Sequence, residues 1–255
     1  MSHPLLATKD LTVRFGGHVA VDAISCVFPA GELTAIVGPN GAGKTTYFNL
    51  ISGQITPTAG TVQVAGEEIS KLPVARRAEK GIGRAFQLTN LFPNLTVFEN
   101  VRLVIQSKAK KGFDLFSMAD DHVQIREDAD QVLQNVNLLA QRDTIVSALP
   151  HGDQRKLEVA MLIALDPLIY MFDEPTAGMS ADEAPVVLEL IEQLKQDKTK
   201  CVLLVEHKMD VIRTLADRII VLHNGALVAD GDPSTVMSSS IVQEAYMGKA
   251  LGHVE

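Results

Sequence analysis

Tryptophan is absent from this 255-residue chain, and cysteine occurs only twice, at Cys26 and Cys201. Each cysteine lies among apolar neighbours and neither belongs to a CxxC. Such a pair supplies no disulfide framework, thiolate zinc site or redox motif, and two reduced, buried thiols are expected. Long apolar runs are also lacking. None approaches the roughly 20 residues that cross a bilayer, and the most apolar region, Val159 to Phe172, is broken by Asp166-Pro167. Met1-Ser2-His3-Pro4 has neither the basic start nor the apolar segment of a secretory signal. A cytoplasmic location is expected, with any attachment to a membrane made through other chains. Basic charge is short as well: 23 Lys and Arg face 31 Asp and Glu, for a formal net charge of −8. Sequence-independent nucleic-acid binding needs a basic face, so no nucleic-acid partner is expected.

What is present is ordinary for a globular chain, with 46% hydrophobic and 21% charged residues. At about 150 residues per domain, the length suits one large domain or a core with one inserted lobe. Leu11, Val13 and Phe15 alternate up to Gly16-Gly17, and Val19 and Val21 continue beyond, which predicts a hairpin. A strand is predicted over Leu33 to Val37, a helix over Lys44 to Ile51 stopped by Gly53, and a strand near Thr61 to Val64. The middle is helical in pattern, with Ile125, Ala129, Val132, Leu133 and Val136 at helical spacing. Buried strands are predicted at Leu168 to Phe172 and Cys201 to Val205. Ser180 to Glu183 reads as a capping box opening a helix with Val186, Val187, Leu190, Ile191 and Leu194 inward. Asn224-Gly225 marks a second hairpin. Alternating strands and helices imply a mostly parallel sheet covered on both faces. A small antiparallel sheet precedes it, and a helical insertion runs between about 88 and 158.

Gly38-Pro39-Asn40-Gly41-Ala42-Gly43-Lys44-Thr45 satisfies GxxxxGK[ST] between a predicted strand and a predicted helix. Glycines let successive N–H groups turn toward an anion, and the helix adds its positive dipole end. Lys44 is expected to reach the β- and γ-phosphates and the Thr45 hydroxyl to ligate Mg²⁺. Asp173 ends the strand from Leu168 and is positioned to hold Mg²⁺ through water, the competing reading being a helix cap or a surface carboxylate. Pro175 follows and no helix starts before Ser180, which weighs against a cap. Glu174 would polarise an attacking water beside the γ-phosphate. His207 ends the next strand and faces the same crevice, where it would contact the γ-phosphate unless it is merely a surface histidine. Guanine reading normally uses [NT]KxD, and the nearest string, His207-Lys208-Met209-Asp210, has the wrong first residue. A small-molecule kinase would more often carry an arginine-rich lid and needs a second substrate pocket.

Taken together these residues resemble the ATP-binding cassette (ABC) ATPases, over nearly the whole chain. The resemblance implies a P-loop NTPase (RecA-like) α/β fold. Residues 1–87 and 159–255 would form the nucleotide-binding core with an antiparallel β-subdomain, and 88–158 the helical signature subdomain. It implies ATP and Mg²⁺ as ligands, held by the loop from Gly38 to Thr45 and by Thr46, with Phe15 stacking on adenine. Gln87 matches the family's glutamine loop, which contacts Mg²⁺ and links core to lobe. Leu149-Pro150-His151-Gly152-Asp153-Gln154 matches the signature, usually Leu-Ser-Gly-Gly-Gln, that touches the ATP of the opposite subunit. There the chain departs: Pro150 replaces the serine, and His151 and Asp153 replace a glycine and the glutamine. Leu149, the Gly152 backbone and a helix from Gln154 to Leu165 remain, with Asp153 as its capping acid.

Phe15-Gly16-Gly17-His18-Val19-Ala20-Val21-Asp22, His151 to Glu158, Val205 to Met209 and Glu244-Ala245-Tyr246-Met247-Gly248 resemble the ATPases of branched-chain amino-acid importers. The segment between Val101 and Ile125 is similar to the larger of the two ATPases there. The implied partners are a second ABC ATPase, two integral membrane permeases and, indirectly, an extracytoplasmic solute-binding protein. The chain would sit peripherally at the cytoplasmic face of the membrane. Leu88, Leu91, Phe92, Leu95 and Phe98 would divide between the lobe's core and a permease-facing groove. A soluble ABC ATPase and a regulatory subunit with weak turnover are the alternatives.

Overall fold

The computed structural model describes residues 4–85, 91–108 and 119–239. In chain order its elements are β1 (Leu6–Phe15), β2 (His18–Phe28), β3 (Leu33–Val37), α1 (Lys44–Ser52), β4 (Ala59–Val64), β5 (Glu67–Glu68), α2 (Val74–Glu79) and β6 (Ile82–Arg84). There follow α3 (Val97–Lys108), α4 (Ala119–Asn135), α5 (His151–Leu165), β7 (Ile169–Asp173), α6 (Ala184–Gln196), β8 (Cys201–Val205), α7 (Met209–Leu215), β9 (Arg218–His223), β10 (Ala226–Gly231) and α8 (Pro233–Ser238). Two short 3₁₀ turns, Leu139–Gln141 and Val146–Ala148, lie between α4 and α5. The chain divides into two units, residues 1–82, 168–174 and 194–255, and residues 83–167 and 175–193.

The first unit holds the sheets but for the end of β6, whose Gly83 and Arg84 belong to the second. β2, β1, β4 and β5 form an antiparallel sheet in that order, with Phe15 opposite His18 across the Gly16-Gly17 turn. The second sheet has the order β10-β9-β3-β8-β7-β6. β3 is parallel to both β8 and β9, β7 is parallel to β8, and only the β9–β10 hairpin is antiparallel among these pairs. Asn224 and Gly225 both have positive φ, 49° and 80°, the requirement of a two-residue turn matched to strand twist. β3 shows why a parallel strand is apolar throughout. Ile36 joins a core with Phe28, Tyr47, Phe48 and Val62, while Ala35 and Val37 join the opposite core with Ile212 and Val236. Cys26 and Cys201 are buried free thiols whose pKa burial pushes up to about 11 and about 12.

The second unit contains α3 to α5. α3 opens on a capping box: Thr96 N–H donates to Glu99 at 2.9 Å, and Glu99 N–H donates to the Thr96 hydroxyl at 3.1 Å. The buried Asn100 ties this entry down, accepting from Phe92 N–H and donating to the carbonyls of Phe92 and Thr96. On α4, Ala129 and Leu133 are buried at helical spacing and Val136 follows them, as the pattern requires. Leu91, Leu95 and Phe98 are half-buried and Phe92 is exposed. The expected groove residue Leu88 lies outside the described residues.

Two helix starts differ from expectation. α5 begins at His151, with Pro150 as its N-cap, rather than at Gln154. A proline there forfeits no hydrogen bond, because that N–H has no helical partner. Asp153 is therefore not the cap but a first-turn acid, and its carboxylate pairs with Lys156 at 2.8 Å. α6 begins at Ala184 rather than directly after a Ser180 cap, and residues 181–183 form a turn before it. The reach-back half of the capping box is present, Ser180 N–H donating to Glu183 Oε2 at 3.0 Å. The serine hydroxyl, however, donates to that same oxygen at 2.9 Å.

Candidate functional site

The cradle is made by the strand and helix it joins. β3 is buried along its length and delivers the chain into the loop from Gly38 to Gly43. Gly43 precedes α1 with φ +99°, and a Cβ there would lie 2.6 Å from the carbonyl oxygen of Ala20. Glycine alone meets both demands. The β9–β10 hairpin braces the loop, Gly225 N–H donating to Ala42 O at 3.0 Å and Gly225 O accepting from Asp22 N–H at 2.9 Å. The first backbone bond of α1 runs from Tyr47 N–H to Gly43 O, so the N–H groups of Lys44, Thr45 and Thr46 precede it. The first turn has no acidic residue and no side-chain cap. It therefore presents N–H donors and an uncompensated positive dipole end, the requirements for holding phosphate.

Lys44 is buried at the mouth of this loop, where Nζ donates to Gly38 O at 2.7 Å and Pro39 O at 3.1 Å. An ammonium has three donors, so one remains for a phosphate oxygen. Burial lowers its pKa, and the carboxylates of Glu174 and Asp173 oppose that shift. Thr45 is exposed on the same turn and Thr46 is half-buried.

The tips of β7 and β8 carry the acid–base groups. Asp173 pairs with Val205 as the last residue of β7 and is half-buried. Glu174 follows with φ +53°, uncommon for a side chain of this kind, and its N–H donates to Val205 O at 2.9 Å. That bond fixes the turn which aims its carboxylate away from the strand. Glu174 Oε1 lies 2.8 Å from His207 Nε2. An ionised carboxylate only accepts, so Nε2 carries the proton and donates. His207 is oriented from behind. The buried Glu206 accepts from the N–H of His207 at 2.8 Å and of Lys208 at 3.2 Å. The positioning role of Glu206 was not foreseen, and Val205-Glu206-His207 carries no local signal for it.

Phe15 is 52% exposed at the end of β1 and so is no core residue of its hairpin. Gln87 lies outside the described residues. In the second unit Leu149 is buried, and its carbonyl accepts from Gln154 Nε2 at 3.0 Å. Gly152 is buried in the first turn of α5, and no side chain caps that helix.

Residues 21–177 match the ABC transporter family. The chain belongs to that family. As an ABC protein it is 36% identical over 255 residues to the high-affinity branched-chain amino acid transport ATP-binding protein BraF of Pseudomonas aeruginosa, covering 98% of this chain and 100% of BraF. Its identity to LivG of Escherichia coli, a protein of the same description, is 35% over 257 residues, covering 98% of this chain and 100% of LivG. Among solved structures it is similar to the ADP conformation of MJ1267, an ATP-binding cassette of an ABC transporter. That match has a TM-score of 0.80 at 26% identity and covers 97% of this chain and 99% of MJ1267. A dimeric post-hydrolysis state of the cassette MJ0796 bound to ADP and Pi matches with a TM-score of 0.76 at 26% identity, over 89% and 98% of the two chains. The α/β P-loop fold with its parallel sheet, antiparallel sheet and helical unit is that of an ABC cassette.

Proposed function

We propose that this chain is the ATP-hydrolysing subunit of an ABC importer for branched-chain amino acids or related amino acids and amides. The observation that carries the ATPase reading is the Glu174–His207 pair at 2.8 Å, just past the ends of β7 and β8, with β8 adjacent to the β3 strand that leads into a phosphate cradle containing Lys44. The solute class is supported by 35–36% identity over whole chains to BraF and LivG.

Gly38 to Thr46 would wrap the phosphates, Lys44 would neutralise the β- and γ-oxygens, and Phe15 would stack on adenine. A water held by Glu174 attacks the γ-phosphorus, its proton passes to the Glu174 carboxylate, and the bond to the β–γ bridging oxygen breaks to release ADP. His207 donates from Nε2, first to Glu174 and then to the γ-phosphate as charge develops there. The Thr45 hydroxyl and the Asp173 carboxylate are hard oxygen donors at the cradle, which suits Mg²⁺, and Gln87 would join them. The ion would neutralise phosphate charge when bound with ATP.

Two ATPases would close head to tail, each ATP lying between one cradle and the other subunit's Leu149, Gly152, Asp153 and Gln154. In that division of labour 1–87 and 159–255 serve as nucleotide core and 88–158 as signature lobe. Two permeases would hold the chain at the cytoplasmic face of the membrane, fed by an extracytoplasmic solute-binding protein. Because Pro150 offers neither hydroxyl nor N–H, the half-site built on α5 is the weaker one when the partner ATPase differs. The complete assembly is then expected to outpace the isolated chain, and equal rates per chain would refute this asymmetry. Phe15→Ala is expected to weaken ATP binding about tenfold by loss of one stacked base, and an unchanged Kd would remove Phe15 from the site.

The assembly is tested by tagging the chain and recovering it from detergent-solubilised native membranes. Two permeases and a second ATPase are expected with it. Recovery from the soluble fraction alone, or with ribosomes or DNA, would overturn the transport assignment.

A further inference from the structure

Residues 175–183 leave Glu174 directly and, within the second unit, meet the first turn of α5 at two points. Gly178, at φ +74°, lies against His151, and a Cβ there would sit 3.2 Å from the imidazole Cε1. Glu183 lies against Gly152, its carboxylate filling the space that a Cβ on Gly152 would need. Glu183 Oε2 is already held by the N–H and hydroxyl of Ser180. Its Oε1 faces Lys156 Nζ at 4.0 Å, and Lys156 donates to Asp153 at 2.8 Å. Lys156 is only 9% exposed, so its ammonium stands between a carboxylate of its own helix and one carried by the segment after Glu174. The Ser180 bonds, aided by Lys156, hold the Glu183 carboxyl below its ordinary range and so keep it ionised. Gly178, Ser180, Ala181 and Asp182 are exposed. An exposed loop gains its position from fixed anchors, and of these two the one to Lys156 carries opposite charges, at 4.0 Å and without a hydrogen bond, beside a lysine shielded from solvent.

We propose that Lys156 and Glu183 are a positioning pair that fixes residues 175–183 on the first turn of α5 and thereby sets where Glu174 stands when the partner's ATP reaches that turn. The proposal rests on Glu174 as the activating base and on α5 as the surface that meets ATP in trans. Neither member of the pair touches nucleotide. Loss of either loosens the peptide that begins at Pro175, so the base is misplaced while the cradle, built from other elements, still binds ATP. Small misplacements of a reacting group lower the rate of the bound state rather than its affinity.

The test uses the full chain in its complete complex, with kcat and KM for ATP, equilibrium ATP binding and the thermal midpoint measured together. Glu183→Gln and Lys156→Met are each expected to lower kcat about tenfold, with ATP Kd within about twofold of the parent. The double variant should be no slower than the singles, because both remove one shared interaction. Lys156→Arg should restore most of the rate. Glu183→Gln keeps an acceptor for Ser180, so it decides the matter if Lys156→Met fails to fold. A kcat within about twofold of the parent in Glu183→Gln, or a parallel fall of kcat, ATP affinity and midpoint, would overturn the pair. Glu174→Gln separates the two ideas: if it is inactive while Glu183→Gln is unimpaired, only the pair fails. If Glu174→Gln turns over normally, both readings fall.

Discussion

Replacing Glu174 by glutamine is expected to abolish ATP turnover while leaving ATP bound. Glutamine has the same shape and keeps a carbonyl oxygen where Oε1 stands, so the His207 Nε2 contact at 2.8 Å has an acceptor. The backbone bond from residue 174 to Val205 O is untouched, and so is the positive φ that aims the side chain. What disappears is the group that takes the proton from water. General-base catalysis contributes about 10²–10⁴ in rate, and a fall of that size in kcat is expected. Affinity moves the other way, if at all. Glu174 and Asp173 are the carboxylates that raise the Lys44 pKa, so one negative charge beside an incoming triphosphate is removed. ATP should bind Glu174→Gln at least as tightly as the parent. Equilibrium binding and single-turnover hydrolysis in parallel measure both effects. Parent-level hydrolysis would take the base role from Glu174, and loss of binding would show that the carboxylate shapes the cradle instead. Glu174→Ala provides the contrast, because it also strips His207 of its partner.

The cradle and strands were legible because they depend on local chemistry. GxxxxGK[ST] needs a strand before it and a helix after it, and β3 and α1 flank it as the spacing demands. β3 and β8 have the bounds that their apolar runs mark, because a strand covered on both faces has no polar position to blur its ends. Asn224-Gly225 announced its hairpin, since few residues accept two positive φ angles in succession. That the hairpin braces Ala42 was not legible, because residues 42 and 225 meet only in the folded sheet. The two displaced helix starts each involve a carboxylate engaged by Lys156. Glu183 reads locally as the far end of a capping box, but its carboxylate is engaged against Gly152 and Lys156, and regular helix begins only at Ala184. Asp153 reads as a cap, but it lies in the first turn of α5, where it pairs with Lys156 of the same helix. At Glu183 the competing charge is tertiary, whereas at Asp153 it is the lysine one turn on in the same helix, and each competes with a local capping preference of about 1 kcal/mol. Buried polar residues were the least legible. Asn100 and Glu206 do their work through backbone groups that no spacing rule names.

Arg77 is the extreme of that class, and its loss is expected to have the largest effect on stability. Arg76 and Arg77 are adjacent on the short α2, and their sequence context does not distinguish them. Arg76 points outward and pairs with Glu79 at 2.7 Å, both side chains more than 60% exposed. Arg77 is 1% exposed and all its bonds go to backbone carbonyls: Nη1 to Leu50 and Ile51 at 2.6 and 2.8 Å, Nη2 to Ser70 at 2.7 Å, and Nε to Leu72 at 2.9 Å. Leu50 and Ile51 lie in the last turn of α1, so the guanidinium sits at the negative end of the helix whose other end forms the cradle. Burial lowers its pKa only to about 10, so it stays charged at neutral pH. Methionine keeps much of the stem's volume but donates nothing, leaving buried acceptors unsatisfied at about 1–3 kcal/mol each before relaxation. A net loss of about 3–5 kcal/mol follows for Arg77→Met, a large share of a typical domain's stability. At roughly 2–4 °C per kcal/mol for a chain of this size, the thermal midpoint should fall by about 10 °C. Arg77→Lys should fall between, since one ammonium cannot span four carbonyls on two segments. Arg76→Met should leave the midpoint unchanged, because an exposed pair of this kind contributes little. A midpoint for Arg77→Met within about 2 °C of the parent would mean that water replaces the guanidinium among those carbonyls, and that α1 does not depend on it.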